Sequence, residues 1–246
     1  MNIQGILFDI NGTLIDIQTD EGNEDIYRGI SHFLTYQGIY IHRGEVRDEY
    51  FRLMEEQRES SDEAFPEFDV VELWREFLLQ RPEASKALPP EKLQWMPLFL
   101  AEMYRGISRY RLQLYPDVKN ILDELLPCFK LAALSDAQSV WAVPEMRAVG
   151  IEAYFHPIIV SGDFGFRKPD KRIFEAALNG LGLRPENILF VGNDMYRDVY
   201  GAKQFDMKTV FFSSNQGRKT AKWVEPDYII YQFAELREAI DFFAAR

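Results

Sequence analysis

Ile6-Leu7-Phe8-Asp9-Ile10-Asn11-Gly12-Thr13-Leu14 is the stretch whose reading decides the fold. Three consecutive apolar residues predict a short buried strand, and Gly12 marks a turn directly after it. Asp9 then stands at the carboxyl end of that strand, where open parallel sheets bind their ligands. Taken alone, such an aspartate equally well ends the strand and accepts turn hydrogen bonds or serves a ligand site. Its meaning depends on what the rest of the chain places beside it.

From about residue 16 to residue 111 the pattern is helical, with almost no strand signal. Ile26, Ile30, Phe33 and Leu34 share one helical face, and Val46, Tyr50, Leu53 and Met54 share a second. Val70, Leu73, Trp74, Phe77 and Leu78 make a third, and a fourth helix is predicted from about Leu93 to Ile107, started or kinked by Pro97. Gly22, the Gly38–Gly44 segment and the Pro82–Pro90 region separate them. After Leu114 strands and helices alternate. Strands are expected at 129–134, 157–160, 188–191, 209–212 and 228–231, with helices between them and a closing helix from Ala234 to Phe243. That alternation predicts an α/β core, a doubly wound parallel sheet with right-handed crossovers, into which the helical block is inserted after the first strand.

Composition narrows the function. The 246 residues are 47% hydrophobic and 27% charged, ordinary values for a globular chain. Thirty-nine acidic against 28 basic residues leave a net charge of −11. That argues against nucleic acid or an anionic membrane surface as partner, because both need a basic face. A small anionic substrate stays open, since a metal ion and one or two lysines reverse the potential locally. Cys128 is the only cysteine, so an intrachain disulfide and a cysteine zinc cluster are excluded. There is no charged-then-apolar leader and no apolar run near the ~20 residues of a spanning helix, so a cytoplasmic location is expected.

Each polar cluster of the core follows an apolar strand: Asp9, then Ser135 and Asp136, then Asp194 and Asp198. Lys168 lies in the polar loop 161–169 after the third strand. A parallel sheet gathers these ends on one edge. Carboxylates, a hydroxyl and an ammonium together are the inventory for a divalent cation and a phosphoryl group.

On these residues the sequence resembles the haloacid dehalogenase superfamily of phosphatases and phosphotransferases. The family's first motif, Asp-x-Asp-Gly-Thr-Leu, is met by Asp9-Ile10-Asn11-Gly12-Thr13-Leu14. Its lone Ser or Thr is met by Ser135, its lysine by Lys168-Pro169-Asp170, and its glycine with spaced acids by Gly192-Asn193-Asp194 and Asp198. The resemblance implies a Rossmann-like core (1–15 and 112–246) with an all-helical cap (16–111) that selects the substrate. It further implies that Asp9 is a nucleophile forming an aspartyl-phosphate. Lys168 would neutralise Asp9 and the phosphoryl oxygens, with Thr13, Ser135 and the backbone N–H of Asp136 as phosphate donors. Mg2+ would be held by Asp9, the backbone carbonyl of Asn11, Asp194 and, through water or by orienting Lys168, Asp198. The implied substrate is a small phosphorylated metabolite.

Two positions depart from the family pattern. The residue after the glycine of the fourth motif is Asn193 rather than aspartate, which makes the anionic Asp194 the expected metal ligand. In the first motif Asn11 stands where the phosphatases carry the aspartate that protonates the leaving oxygen. An amide exchanges no proton at neutral pH, and losing such a group typically costs ~10²–10⁴ in rate. The reading is a Mg-dependent phosphohydrolase, impaired or restricted to good leaving groups. The alternatives are a non-catalytic phospholigand-binding protein on the same fold and, with less support, a 2-haloacid dehalogenase.

Overall fold

The computed structural model describes residues 2–245. In chain order, β1 (Gly5–Phe8) and β2 (Ile15–Thr19) lead into five helices: α1 (Glu24–Tyr36), α2 (Arg43–Glu59), α3 (Val70–Leu79), α4 (Pro82–Ala87) and α5 (Pro90–Ser108). There follow β3 (Arg109–Leu114), α6 (Val118–Leu125), β4 (Lys130–Ser135), α7 (Ser139–Ala148), β5 (Ile158–Val160), α8 (Lys171–Leu181) and β6 (Ile188–Gly192). A π-helical turn, Met195–Tyr200, runs into α9 (Gly201–Lys203), and β7 (Lys208–Phe212), β8 (Tyr228–Ile230) and α10 (Leu236–Ala244) close the chain.

Six strands form one parallel sheet in the order β5-β4-β1-β6-β7-β8, with β1 at the centre. Leu7 pairs with Ala132 on one side and Phe190 on the other. Alternation along the strands divides the core in two. Ile6 and Phe8, with Leu131, Ala133, Leu189 and Val191, face α6 and α10. Leu7, with Ala132, Leu134 and Phe190, faces Ile173, Phe174 and Ala177 of α8. Burial on both faces explains why these strands read as unbroken apolar runs. The architecture is the doubly wound α/β sheet predicted from the sequence.

The helical block has its own core, built around Tyr27, Tyr50, Trp74, Phe77 and Tyr104. Its helices begin on identifiable caps: Asn23 accepts from the Asp25 N–H, and Asp69 from those of Val71 and Glu72. Pro97 sits inside a continuous α5, and the Pro82–Pro90 break contains the short helix α4.

The structure also corrects the chain reading at the edges of this block. β2 and β3 form an antiparallel ribbon, with Ile15 opposite Leu114 and Ile17 opposite Leu112. Charged residues masked this ribbon in the sequence. Buried Asp16 is neutralised by Arg111 of the other strand, a pairing that only the fold supplies. No described helix is long and apolar enough to cross a membrane.

The helical block is fastened to the sheet domain through α7 and the residue before it. Gln138 accepts from the Val70 N–H and donates to the Phe68 carbonyl. Trp141 donates to the Ala101 carbonyl and stacks on Tyr104. Glu145, almost fully buried, takes Arg105 in a two-point ion pair and Arg109 in a third contact. A second attachment joins the 60–69 loop to the Lys168 loop: Glu67 N–H donates to Gly165, and Arg167 N–H to Phe65.

Candidate active site

β1, flanked by β4 and β6, determines where Asp9 sits. The Asp9 N–H continues the ladder to the Val191 carbonyl at 2.9 Å, and the chain then turns. That turn closes through Gly12 N–H to Ile15 and Leu14 N–H to Ile10, each at 2.8 Å. Gly12 has φ +86°, and a Cβ there would overlap the Asn193 amide, so both conformation and space demand glycine. Thr13, fully buried, is thereby aimed back at Asp9, and its Oγ1 donates to Asp9 Oδ2 at 2.8 Å.

Lys168 arrives from the loop after β5. Its backbone N–H donates to Asp136 Oδ1 at 2.9 Å, which anchors the loop against the end of β4. Its Nζ donates to Asp9 Oδ1 at 2.6 Å, Asp198 Oδ1 at 2.7 Å and the Leu134 carbonyl at 3.1 Å. The ammonium has three protons and all three are committed. Burial opposes its charge, but the carboxylates of Asp198 and Asp9 outweigh that and hold its pKa above the ordinary lysine value.

Asp198 is equally constrained. Its Oδ2 accepts the N–H groups of Asn193 at 3.0 Å and Asp194 at 2.9 Å. Burial pushes it up to about 6 against the pull of Lys168. Burial likewise raises Asp136. Arg197, within the fourth motif, lies 3.1 Å from Asp194 and 3.5 Å from Asp136, so a second cation borders the site. Sequence reasoning passed over Arg197, although its spacing from Asp194 (i,i+3) is an ion-pair signal on a helical turn. It also passed over the loop after β7, where Ser214 accepts from Asn193 Nδ2 at 3.3 Å and Gln216 reaches Asp16. A polar, glycine-containing run directly after a buried strand was the available clue.

Asp9, Thr13, Lys168 and Asp198 are joined by direct hydrogen bonds, and Asp136 joins them through the Lys168 backbone. Three buried polar atoms near them have no hydrogen-bond partner among the described residues: Asn11 Oδ1, Ser135 Oγ and Asp136 Oδ2. Such atoms are costly unless a ligand or water meets them.

Asp194 is differently engaged. Oδ1 accepts from the N–H groups of Tyr196 and Arg197, Oδ2 accepts from the Arg218 N–H, and the Arg197 guanidinium forms an ion pair with Oδ2 at 3.1 Å. Burial works against its charge, but these donors prevail and hold its pKa below the usual range. A carboxylate offers about four acceptor positions; here three are taken by backbone N–H groups, and the Arg197 cation stands against the remaining side of Oδ2. Among the described residues no group of three or more His, Cys, Asp or Glu is arranged to hold a metal. The donor set Asp9, Asn11, Asp194 and Asp198 therefore does not fit a magnesium ion with its side chains as they stand.

Comparison with known proteins agrees with this geometry at the level of family. The chain is 30% identical to a glyceraldehyde 3-phosphate phosphatase of Methanopyrus kandleri, over 52% of its own length and 55% of the relative's. It is 26% identical to one of Pyrococcus abyssi, over 85% and 81%. The match to the first of these thus spans about half the length of that relative. In fold it is similar to the crystal structure of a 2-haloacid dehalogenase from Pseudomonas syringae, with TM-score 0.70, 20% identity, and coverage of 98% and 99%. A family model of haloacid dehalogenase-like hydrolases matches residues 3–206, and the chain belongs to the haloacid dehalogenase-like hydrolases.

Proposed function

We propose that this hydrolase cleaves a small phosphorylated metabolite through an aspartyl-phosphate on Asp9, and that it acts on substrates whose leaving group departs without a proton. The observation carrying this reading is the Lys168 ammonium, 2.6 Å from Asp9 and 2.7 Å from Asp198. A cation held there lets a dianionic phosphoryl group approach an anionic nucleophile. In the first step an Asp9 oxygen bonds to phosphorus while the bond to the leaving oxygen breaks, its electron pair staying on that oxygen. In the second, water attacks phosphorus, and inorganic phosphate leaves as the carboxylate is restored. Thr13 holds the carboxylate rotamer, and Ser135 Oγ is free to donate to a phosphoryl oxygen.

Asn11 determines the substrate range. It hydrogen-bonds but moves no proton, so an alkyl phosphate loses roughly 10²–10⁴ in rate while an acyl phosphate, with its weakly basic leaving oxygen, loses little. The phosphatase names of the two archaeal relatives support a small phosphorylated metabolite as the substrate class. Residues 16–111 then act as the cap over this site, held by Gln138, Trp141 and Glu145. The single thiol, Cys128, suits a reducing cytoplasm. The same amide favours a second reading, a 2-haloacid dehalogenase, because halide also departs unprotonated.

One panel separates these readings: phosphate esters, acyl phosphates and 2-haloacids, assayed with wild type, Asp9→Asn and Asn11→Asp. Acyl phosphates turned over in an Asp9-dependent manner, with esters gained in Asn11→Asp, is the expected result. Asp9-dependent halide release selects the dehalogenase. Phospholigand binding with no turnover by wild type or Asn11→Asp refutes catalysis altogether.

A further inference from the structure

We infer that the resting site holds no resident divalent cation, that the Lys168 ammonium occupies that electrostatic role, and that position 193 is where the missing anionic ligand would stand. The argument is one of free acceptor positions. Asp194 keeps one, since its oxygens accept the N–H groups of Tyr196, Arg197 and Arg218, and the Arg197 guanidinium, paired with Oδ2 at 3.1 Å, sets a positive charge where a second cation would have to come. Asp198 has spent three on Lys168, Asn193 and Asp194. Asp9 keeps two, after Lys168 and Thr13. One half-used carboxylate is a poor site for magnesium, which dehydrates reluctantly and otherwise needs a second carboxylate or substrate phosphate.

Asn193 is the side chain placed to have completed the set. It follows β6 directly, on the strand that pairs with β1, and its amide packs against the Gly12 turn beyond Asp9. Its backbone N–H is bound to the same Asp198 that receives Lys168. As an amide it brings no charge, and its Nδ2 is directed to Ser214. An aspartate in this place would add an anion against the Gly12 turn, with the Ser214 hydroxyl as its neighbour.

The inference concerns the site of the proposed activity, yet it is read by cation uptake, so the two fail separately. The experiment is calorimetric titration of Mg2+, with Mn2+ followed by electron paramagnetic resonance, into the full chain without phospholigand. Wild type is expected to take up far less than one equivalent at about 1 mM cation, whereas Asn193→Asp takes up one, at least about tenfold tighter. One equivalent bound by wild type at that concentration, and lost in Asp9→Asn, overturns the inference. No gain in a folded Asn193→Asp, as judged by its thermal transition, overturns the assignment of position 193. Should that variant not fold, the wild-type titration still decides whether a resident cation exists. No turnover together with no cation uptake by wild type refutes the proposed activity and upholds the inference.

Discussion

Replacing Lys168 with methionine tests the central cluster most directly. Methionine preserves much of the aliphatic stem and deletes the ammonium. Three oxygens lose a donor: Asp9 Oδ1 at 2.6 Å, Asp198 Oδ1 at 2.7 Å and the Leu134 carbonyl at 3.1 Å. Breaking a buried ion pair from one side costs about 3–5 kcal/mol, and here one cation serves two carboxylates, so the upper part of that range is expected at neutral pH. That is roughly a thousandfold in the folding equilibrium, out of a total stability of about 5–15 kcal/mol. The deficit must also depend on pH. Burial already pushes Asp198 up to about 6 with the ammonium present, and without it the value rises further. An acid with a raised folded pKa binds more protons folded than unfolded, so stability falls as pH climbs through the window from about 4 upward past 6. Urea unfolding of wild type, Lys168→Met, Asp198→Asn and the double variant, at about pH 5.5 and about pH 8, measures this. The single variant should lose less at the acid pH, and the double should recover at least about 2 kcal/mol at pH 8. A loss under about 1 kcal/mol at pH 8, or no recovery in the double, would refute the claim that Lys168 neutralises both carboxylates.

Three other substitutions probe the supports of the site. Gly12→Ala imposes a left-handed φ on a residue with a Cβ and drives that Cβ into the Asn193 amide, so about 1–2 kcal/mol of stability and most turnover should disappear, as read by thermal melts and the phosphate panel. Glu145→Ala strands the Arg105 and Arg109 guanidinium groups at the contact between α5 and α7. A loss of about 3–5 kcal/mol in urea unfolding is expected, and a change under about 1 kcal/mol would show that the contact is dispensable. Gln138→Ala leaves the Val70 N–H and Phe68 carbonyl without partners, for about 1–3 kcal/mol each; hydrogen exchange at Val70 should rise well before exchange in β1 does.

Much of the fold was legible because local pattern and tertiary demand agree. The run Ile6-Leu7-Phe8 is uniformly apolar since β1 is buried on both faces, and the helical faces of α1 and α3 carry their own N-caps at Asn23 and Asp69. The ribbon of β2 and β3 was not legible. Asp16 and Arg111 look solvated in sequence, and only their pairing across the ribbon accounts for the burial of Asp16. Arg197 was overlooked for a similar reason, since an arginine on a helical turn is ordinarily a surface residue.

For the site, the apolar runs marked which strand ends carry polar groups: Asp9, Ser135 and Asp198 come after such runs, Lys168 lies in the loop after another, and a parallel sheet must gather these ends on one edge. That Asn11 moves no proton is likewise legible in the sequence, a property of the amide wherever it lies. How each acceptor is spent depends on the folded arrangement. Asp194 is an acid in the sequence and a helix cap paired with Arg197 in the fold, because a hydrogen-bond partner is a matter of position. Whether a carboxylate is free to bind a cation depends on which donors have already reached it, and those come from 3, 24 and 30 residues away along the chain.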